Sequence, residues 1–71
     1  MRNKERAKKL SKILEYERLN RGMTQQEFAD FIGIPRNSVT TYINGQRLPR
    51  AKRLKKIAEL FNIDITLFIE E

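Results

Sequence analysis

The sequence predicts an all-α fold, a compact domain of five short helices. Apolar residues recur at the three- and four-residue spacing of a helix, whereas strand-like alternation appears only in the last few positions. Glycine, proline and capping residues separate the helical stretches from one another. With 71 residues, of which 39% are hydrophobic, the chain can form one small core, since chains this short seldom support two.

The first predicted helix covers roughly residues 5–20. Leu10, Ile13 and Leu14 share one of its faces, and Gly22 supplies the left-handed conformation that commonly closes a helix. Residues 1–9 are basic. They form either a basic arm that extends from the domain or, the reading that we favour, the solvated start of the first helix. Residues 10–69 then make up the domain itself.

The second predicted helix begins at a capping signal. Residues 24–27, Thr-Gln-Gln-Glu, match the capping box, in which Thr24 accepts from the backbone N–H of Glu27 and the Glu27 side chain reaches back. Gly33 ends this helix after barely two turns, because a sharp turn of the chain there requires positive φ. The apolar side of the helix consists of Phe28, Ala29 and Ile32.

Two prolines mark the next helices. Pro35 sets φ for the start of a third helix that runs to about residue 44, with Val39 and Tyr42 facing inward. Pro49 begins a fourth helix. Its apolar residues recur at i, i+3, i+4 and i+7, namely Leu54, Ile57, Ala58 and Phe61.

The carboxyl end predicts a short fifth helix with more apolar residues than one short helix needs. Asn62 is the expected left-handed end of the fourth helix, and Asp64 the expected N-cap of the fifth. Part of this surface either forms a homodimer contact or completes the core of one molecule. The residues concerned are Ile63, Ile65, Phe68 and Ile69.

Charge is distributed unevenly along the chain. The formal net charge is +6 and the isoelectric point is near 10.1, which indicates a polyanionic partner. Residues 31–58 contain no acidic residue at all. They contain seven basic ones: Arg36, Arg47, Arg50, Lys52, Arg53, Lys55 and Lys56. The alternative is a solvated basic surface that only keeps the protein soluble.

A family resemblance rests on residues 24–49, TQQEFADFIGIPRNSVTTYINGQRLP. Ala29, Gly33 and Val39 have the spacing of a helix-turn-helix, with a capped helix before them and an N-G-x-x-x-P segment after them. The run resembles the helix-turn-helix of phage repressors of the Cro and cI type, also called XRE-like regulators, with residues 24–44 as its core. The resemblance spans about residues 10–68. It implies a lambda-repressor-like DNA-binding domain that places its third helix in the major groove.

The outward positions of the third helix carry side chains that can distinguish bases. Arginine forks onto guanine, asparagine pairs with adenine, and threonine offers a hydroxyl and a methyl. The resemblance implies base contacts for Arg36, Asn37 and Thr41, and helical spacing adds Thr40. Each of these residues has the alternative of being an exposed polar residue with no contact.

A second set of residues is expected to bind phosphates without reading sequence. Gln25 matches the glutamine with which relatives bind a phosphate at the start of helix two, and the loop after helix three meets the opposite strand in relatives. Hydroxyl, amide and cationic side chains, together with a glycine that permits close backbone approach, extend this set. The full set is Gln25, Ser38, Asn44, Gly45, Gln46, Arg47, Arg50 and Lys52.

One position departs from the family pattern. Relatives often pair an arginine at the position of Arg18 with a glutamate where this chain has Ile43. That internal ion pair cannot form here. Arg18 therefore points to solvent, binds a carbonyl or finds another acid.

These observations predict a sequence-specific double-stranded DNA-binding transcriptional regulator, acting as a repressor and as a homodimer on a palindromic operator. The alternative is an antitoxin or adaptor whose main partner is another protein. The chain has no histidine or cysteine, so we expect no zinc site, no cofactor and no enzyme activity. We expect no membrane association and a cytoplasmic, nucleoid-associated location in a bacterium or from a phage gene.

Overall fold

The computed structural model describes residues 3–68, and it shows four α-helices followed by one 3₁₀ turn. The helices are α1 (Asn3–Asn20), α2 (Gln25–Ile32), α3 (Arg36–Ile43) and α4 (Ala51–Phe61), and the turn is Ile65–Phe68. The all-α prediction is therefore confirmed in class. None of the helices in this part of the chain is long and apolar enough to cross a membrane.

The prediction of a fifth α-helix is wrong. Residues 65–68 form a four-residue 3₁₀ turn instead. Asp64 Oδ1 accepts hydrogen bonds from the Thr66 backbone N–H at 3.1 Å and from its hydroxyl at 2.7 Å, so Asp64 does cap the turn as expected. A segment this short cannot repay the cost of nucleating an α-helix, and a 3₁₀ turn is the usual substitute.

The core gathers apolar side chains from all five elements. Phe28 lies at its centre with no exposed surface, and its ring stacks on Phe61 with centroids 5.6 Å apart. The predicted inward residues of α2, α3 and α4 are buried, except that Phe61 is half-buried against the core, so the helical periodicity is confirmed. The buried cluster consists of Leu10, Leu14, Phe28, Ala29, Ile32, Ile34, Val39, Tyr42, Leu54, Ile57 and Phe68.

The apolar residues of the carboxyl end pack mainly on this core. Phe68 is buried, and Ile63 and Ile65 are half-buried against the cluster. Ile69, the fourth residue of the expected dimer surface, lies outside the described residues. For the three described residues, packing within one molecule is the alternative that the structure favours.

The helix ends follow the predicted capping chemistry. Thr24 Oγ1 accepts from the Glu27 N–H at 3.1 Å, and Glu27 Oε1 accepts from the Thr24 N–H at 2.8 Å, which confirms the capping box. Asn62 adopts φ of 57°, the predicted left-handed end of α4. That helix begins two residues later than expected, at Ala51, because the backbone of Arg50 is still extended.

The structure also gives the partners of Arg18. Its guanidinium donates to both carboxylate oxygens of Glu15, at 3.0 and 2.7 Å, and to the carbonyl of Met23 at 2.7 Å. Arg18 thus finds an acid one turn earlier on its own helix and a carbonyl in the α1–α2 loop. The hydrogen bonds from Arg18 lower the pKa of Glu15, and they raise the pKa of Arg18.

Replacing Glu15 with Gln tests this clamp. Because the pKa of Glu15 is lowered in the folded state, its stabilisation is full above the unfolded pKa of about 4.3 and is lost as pH falls through the folded value. We expect Glu15→Gln to reduce the free energy of unfolding by up to about 1 kcal/mol at neutral pH. The difference should shrink below about pH 4, as measured by urea denaturation across pH.

Glu59→Gln is the matched control, since Glu59 is an exposed carboxylate on α4. It should change stability by less than about 0.5 kcal/mol. A Glu15→Gln deficit that persisted undiminished at acid pH would show that the carboxylate charge is not what holds Arg18.

Candidate nucleic-acid interface

The turn between α2 and α3 determines how α3 is presented. Gly33 has φ of 83°, and its N–H and that of Ile34 both donate to the Ala29 carbonyl, at 2.8 and 3.1 Å. Ala29 and Val39 are each only 1% exposed, so a small and a branched side chain fill the angle between the two helices. One face of α3 is thereby held in the core, and the opposite face is turned outward.

The four candidate base-reading residues do not share one environment. Arg36 and Asn37 are exposed, whereas Thr40 and Thr41 are half-buried. The Thr41 hydroxyl donates to the Asn37 carbonyl at 3.0 Å, and the Thr40 hydroxyl donates to Gln25 Oε1 at 2.9 Å. Both threonine hydroxyls therefore have partners within the protein.

Gln25 is held in place by its bond to α3. This residue begins α2, and its side-chain oxygen accepts from Thr40 across the helix-turn-helix. The bond fixes the orientation of the amide, whose Nε2 carries two hydrogen-bond donors. The bond from the Thr41 hydroxyl to the carbonyl four residues earlier is one that threonine commonly forms within helices. The bond between Thr40 and Gln25 joins residues fifteen positions apart, and only the structure reveals it.

Basic side chains converge in a cleft between α3 and α4, which we call the α3–α4 cleft. Its volume is about 430 Å³. Four predicted phosphate-binding residues line it, and no acidic residue does. The full lining is Ser38, Thr41, Tyr42, Arg47, Leu48, Arg50, Lys52 and Arg53.

Arg53 is the residue of this cleft that sequence reasoning left unassigned. Its guanidinium donates to the Ser38 hydroxyl at 2.9 Å and to the Tyr42 hydroxyl at 3.1 Å. It thereby links the first turn of α4 to α3. Tyr42 was expected inward for its ring alone, and the role of its hydroxyl as an acceptor gave no signal in the sequence.

The loop after α3 uses its backbone donors internally. The N–H groups of Asn44, Gly45 and Gln46 donate to carbonyls of α3 at 3.0 to 3.1 Å. Asn44 and Gln46 are exposed. Asn44 lines neither the α3–α4 cleft nor a second cleft that lies between the start of α1 and this loop. Any contact that these two residues make to an anion therefore comes from their side chains.

Gly45 lies beside α1, and its positive φ is what favours glycine at this position, since a Cβ would meet its neighbours only at ordinary contact distances. Its φ is 73°, and a Cβ there would lie 3.4 Å from Ser11 Oγ and 3.7 Å from the Lys8 Cα. The second cleft opens beside it, between the start of α1 and the loop. This α1–loop cleft is lined by Lys4, Ala7, Gly45, Gln46, Arg47 and Leu48.

The described residues offer no sign of a different kind of site. Within residues 3–68, no group of three or more carboxylates stands where it could hold a metal ion. The surface on which the predicted residues converge is cationic and hydroxyl-bearing. Such a surface suits an extended anion.

Comparison with known proteins gives concordant results. A family model described as "Helix-turn-helix" matches residues 14–68. The chain is 33% identical over 60 residues to the ImmF control region 10 kDa protein of Bacillus phage phi105, covering 84% of this chain and 67% of that protein. It is 39% identical over 62 residues to the uncharacterized HTH-type transcriptional regulator YqaF of Bacillus subtilis (strain 168), covering 87% and 82%. No solved structure gives a significant match.

A double-mutant cycle tests the link between α3 and α4. Tyr42→Phe removes the acceptor for Arg53 and keeps the buried ring, so we expect the free energy of unfolding to fall by about 0.5–1.5 kcal/mol. In an Arg53→Met background the same change should cost clearly less, because the donor is already gone. Urea denaturation of the four proteins gives the coupling. An equal cost in both backgrounds would show that the two side chains do not stabilise each other.

Proposed function

Because this chain belongs to the Cro/cI-type (XRE-like) helix-turn-helix family of DNA-binding transcriptional regulators, we propose that it is a repressor that reads a specific operator with α3. The observation that carries the proposal is the outward face of α3. Arg36 and Asn37 are exposed there, and Ser38 and Thr41 of the same helix line the α3–α4 cleft together with four cations. Proteins of this family regulate transcription and are not enzymes.

Arg36 and Asn37 are the proposed principal readers. Both are long or planar polar side chains at the amino-terminal end of α3, the part of such a helix that meets base edges. Thr40 and Thr41 keep their methyl groups for apolar contact with thymine, since their hydroxyls are engaged within the protein. Specificity therefore depends mainly on two residues in each molecule.

Phosphate contacts supply most of the affinity in this proposal. Ser38, Arg47, Arg50 and Lys52 lie together in the α3–α4 cleft and would hold one stretch of backbone. Gln25, oriented by Thr40, would donate its amide to a phosphate on the other side of the groove. The loop after α3 would lie along the same DNA strand as the α3–α4 cleft. This loop contains Asn44, Gly45 and Gln46.

Repression follows from occupancy. A protein bound across a promoter excludes polymerase without any bond being made or broken. Neutralised phosphates release about 0.9 counterion each, so affinity should fall steeply with salt. The proposed setting is the bacterial cytoplasm, where the DNA is. The named roles of the relatives, a phage control-region protein and a transcriptional regulator, support this proposal.

A homodimer on a palindromic site completes the proposal. One α3 of eight residues covers few base pairs, and two copies related by a twofold axis double the sequence that is read. Leu60 and Leu67, from the last turn of α4 and the 3₁₀ turn, are 42% and 46% exposed. They are the described apolar residues near the carboxyl end that remain for contact with a second copy.

Selection of duplexes from a random pool tests the function, and Arg36→Ala tests the reader. The variant should lose about 1–3 kcal/mol of binding to the selected site and accept other bases at one position in each half-site. Arg47→Ala is the matched control, since it also removes one cation. It should weaken selected and random duplexes by the same factor, as measured by fluorescence anisotropy.

A pool that yields no enriched sequence would contradict the proposal, and tight capture of a protein partner in its place would favour an antitoxin or adaptor. A uniform loss for Arg36→Ala would contradict its role as a reader. A loss for Arg47→Ala that is confined to the selected site would contradict its role at phosphates.

Analytical ultracentrifugation tests the dimer. With a selected palindromic duplex we expect two protein molecules for each duplex, with half-sites about one helical turn, roughly 34 Å, apart. Leu67→Lys should reduce this to one molecule at the same protein concentration, because a charge would then lie in the apolar contact. Strict one-to-one binding by the unaltered protein would contradict the dimer.

A further inference from the structure

The first three turns of α1 lie before the segment that the helix-turn-helix family model matches. That segment begins at residue 14, whereas α1 begins at Asn3. We call residues 3–13 the α1 extension. Its charge is strongly positive, because one acidic residue, Glu5, stands against Lys4, Arg6, Lys8, Lys9 and Lys12.

The α1 extension is packed against the rest of the protein. Ala7 and Leu10 are 2% and 1% exposed, and even Arg6 is 5% exposed. Lys4 and Lys8 of the same helix are exposed. A helix that is buried along one side and anchored in this way holds its exposed cations in defined positions, unlike a free basic arm.

The loop after α3 is the surface on which this extension rests. Gly45 of this loop lies beside the Lys8 backbone and the Ser11 side chain, and a Cβ on it would be 3.7 Å from the Lys8 Cα and 3.4 Å from the Ser11 Oγ. Between α1 and the loop lies the α1–loop cleft, about 600 Å³ in volume, with Lys4 on one wall and Gln46 and Arg47 on the other. No acidic residue lines the cleft.

The α1–loop cleft adjoins the α3–α4 cleft. Arg47 and Leu48 line both clefts, so the loop forms the ridge between them. An anion with regularly repeated charges could occupy both sides of this ridge at once. A DNA strand is such an anion, since its phosphates follow one another at short, regular intervals.

We propose that the α1 extension is a second phosphate-binding element, in which Lys4 and Arg47 hold a backbone phosphate in the α1–loop cleft. This inference rests on the proposed function, and it adds a contact outside the helix-turn-helix itself. Lys4 contributes a compact charge on a flexible stem, and Gln46 contributes amide donors. The contact adds affinity without adding sequence preference.

Salt-dependent binding to a random-sequence duplex of about 20 base pairs tests the inference without requiring a known operator. Lys4→Ala should lower the slope of log affinity against log salt by about 0.9, the release expected from one phosphate contact. Equivalently, the loss of affinity between about 50 and about 200 mM salt should become about 3-fold smaller. Lys4→Arg should restore the slope.

Lys9→Ala is the matched control. Lys9 is an exposed cation on the same extension, it does not line the α1–loop cleft, and it lies about 140° around the helix from Lys4. Its slope should equal that of the unaltered protein. Alanine favours helix, so both variants should keep the unaltered circular dichroism spectrum and melting profile.

The experiment distinguishes failure of the proposed function from failure of the second phosphate site. If the unaltered protein showed no salt-dependent duplex binding, the proposed function would fall and this inference with it. If the unaltered protein bound with a steep slope and the Lys4→Ala and Lys9→Ala slopes were equal, the second phosphate site alone would be overturned.

Discussion

The left-handed turn at Gly33 is the constraint on which the interface depends. Because φ there is 83°, α2 ends abruptly, and Ala29 and Val39 can close the angle between α2 and α3 within the core. A β-branched or bulky residue at Gly33 would be strained in this conformation, and α3 would lose its fixed direction.

Hydrogen bonds from α2 and from α4 also hold α3 in place. Thr40 bonds to Gln25 at the start of α2, and Arg53 of α4 bonds to Ser38 and Tyr42. The rigid presentation of one polar helix face follows from these few contacts.

The cations of the α3–α4 cleft that lie at the start of α4 lower the stability of that helix in the isolated protein. Arg50 and Lys52 lie at the amino-terminal end of α4, where the helix dipole disfavours positive charge, and that helix begins with neither an acidic residue nor a side-chain cap. The α2 helix of the same chain has both an acidic residue in its first turn and a complete capping box. A polyanion would neutralise the cationic end of α4. The conflict with local stability is what is expected of residues placed for a partner and not for the fold.

The sequence was sufficient for the helices whose signals are local. Gly22, Gly33 and Asn62 adopt the expected left-handed backbone, the capping box at Thr24 forms, and apolar periodicity identifies the buried face of α4.

The sequence was insufficient where the structure depends on a balance between local and long-range interactions. The five-helix expectation fails at residues 65–68, which are too few for an α-helix. The partners of Arg18, the occupied hydroxyl of Thr40 and the burial of Arg6 depend on side chains meeting in three dimensions, and no spacing rule gives them. The convergence of Lys4 with the 45–48 loop is a further case.

The central claim is that the outward face of α3 enters the groove of a duplex. A titration of the ¹⁵N-labelled protein with duplex DNA, followed by heteronuclear NMR, tests it most directly. If α3 enters the groove, the largest shift changes fall on residues 36–41 and on the arginine side chains of the α3–α4 cleft. Changes confined to the exposed apolar residues Tyr16, Leu19, Phe31 and Leu60, with α3 unaffected, would contradict it.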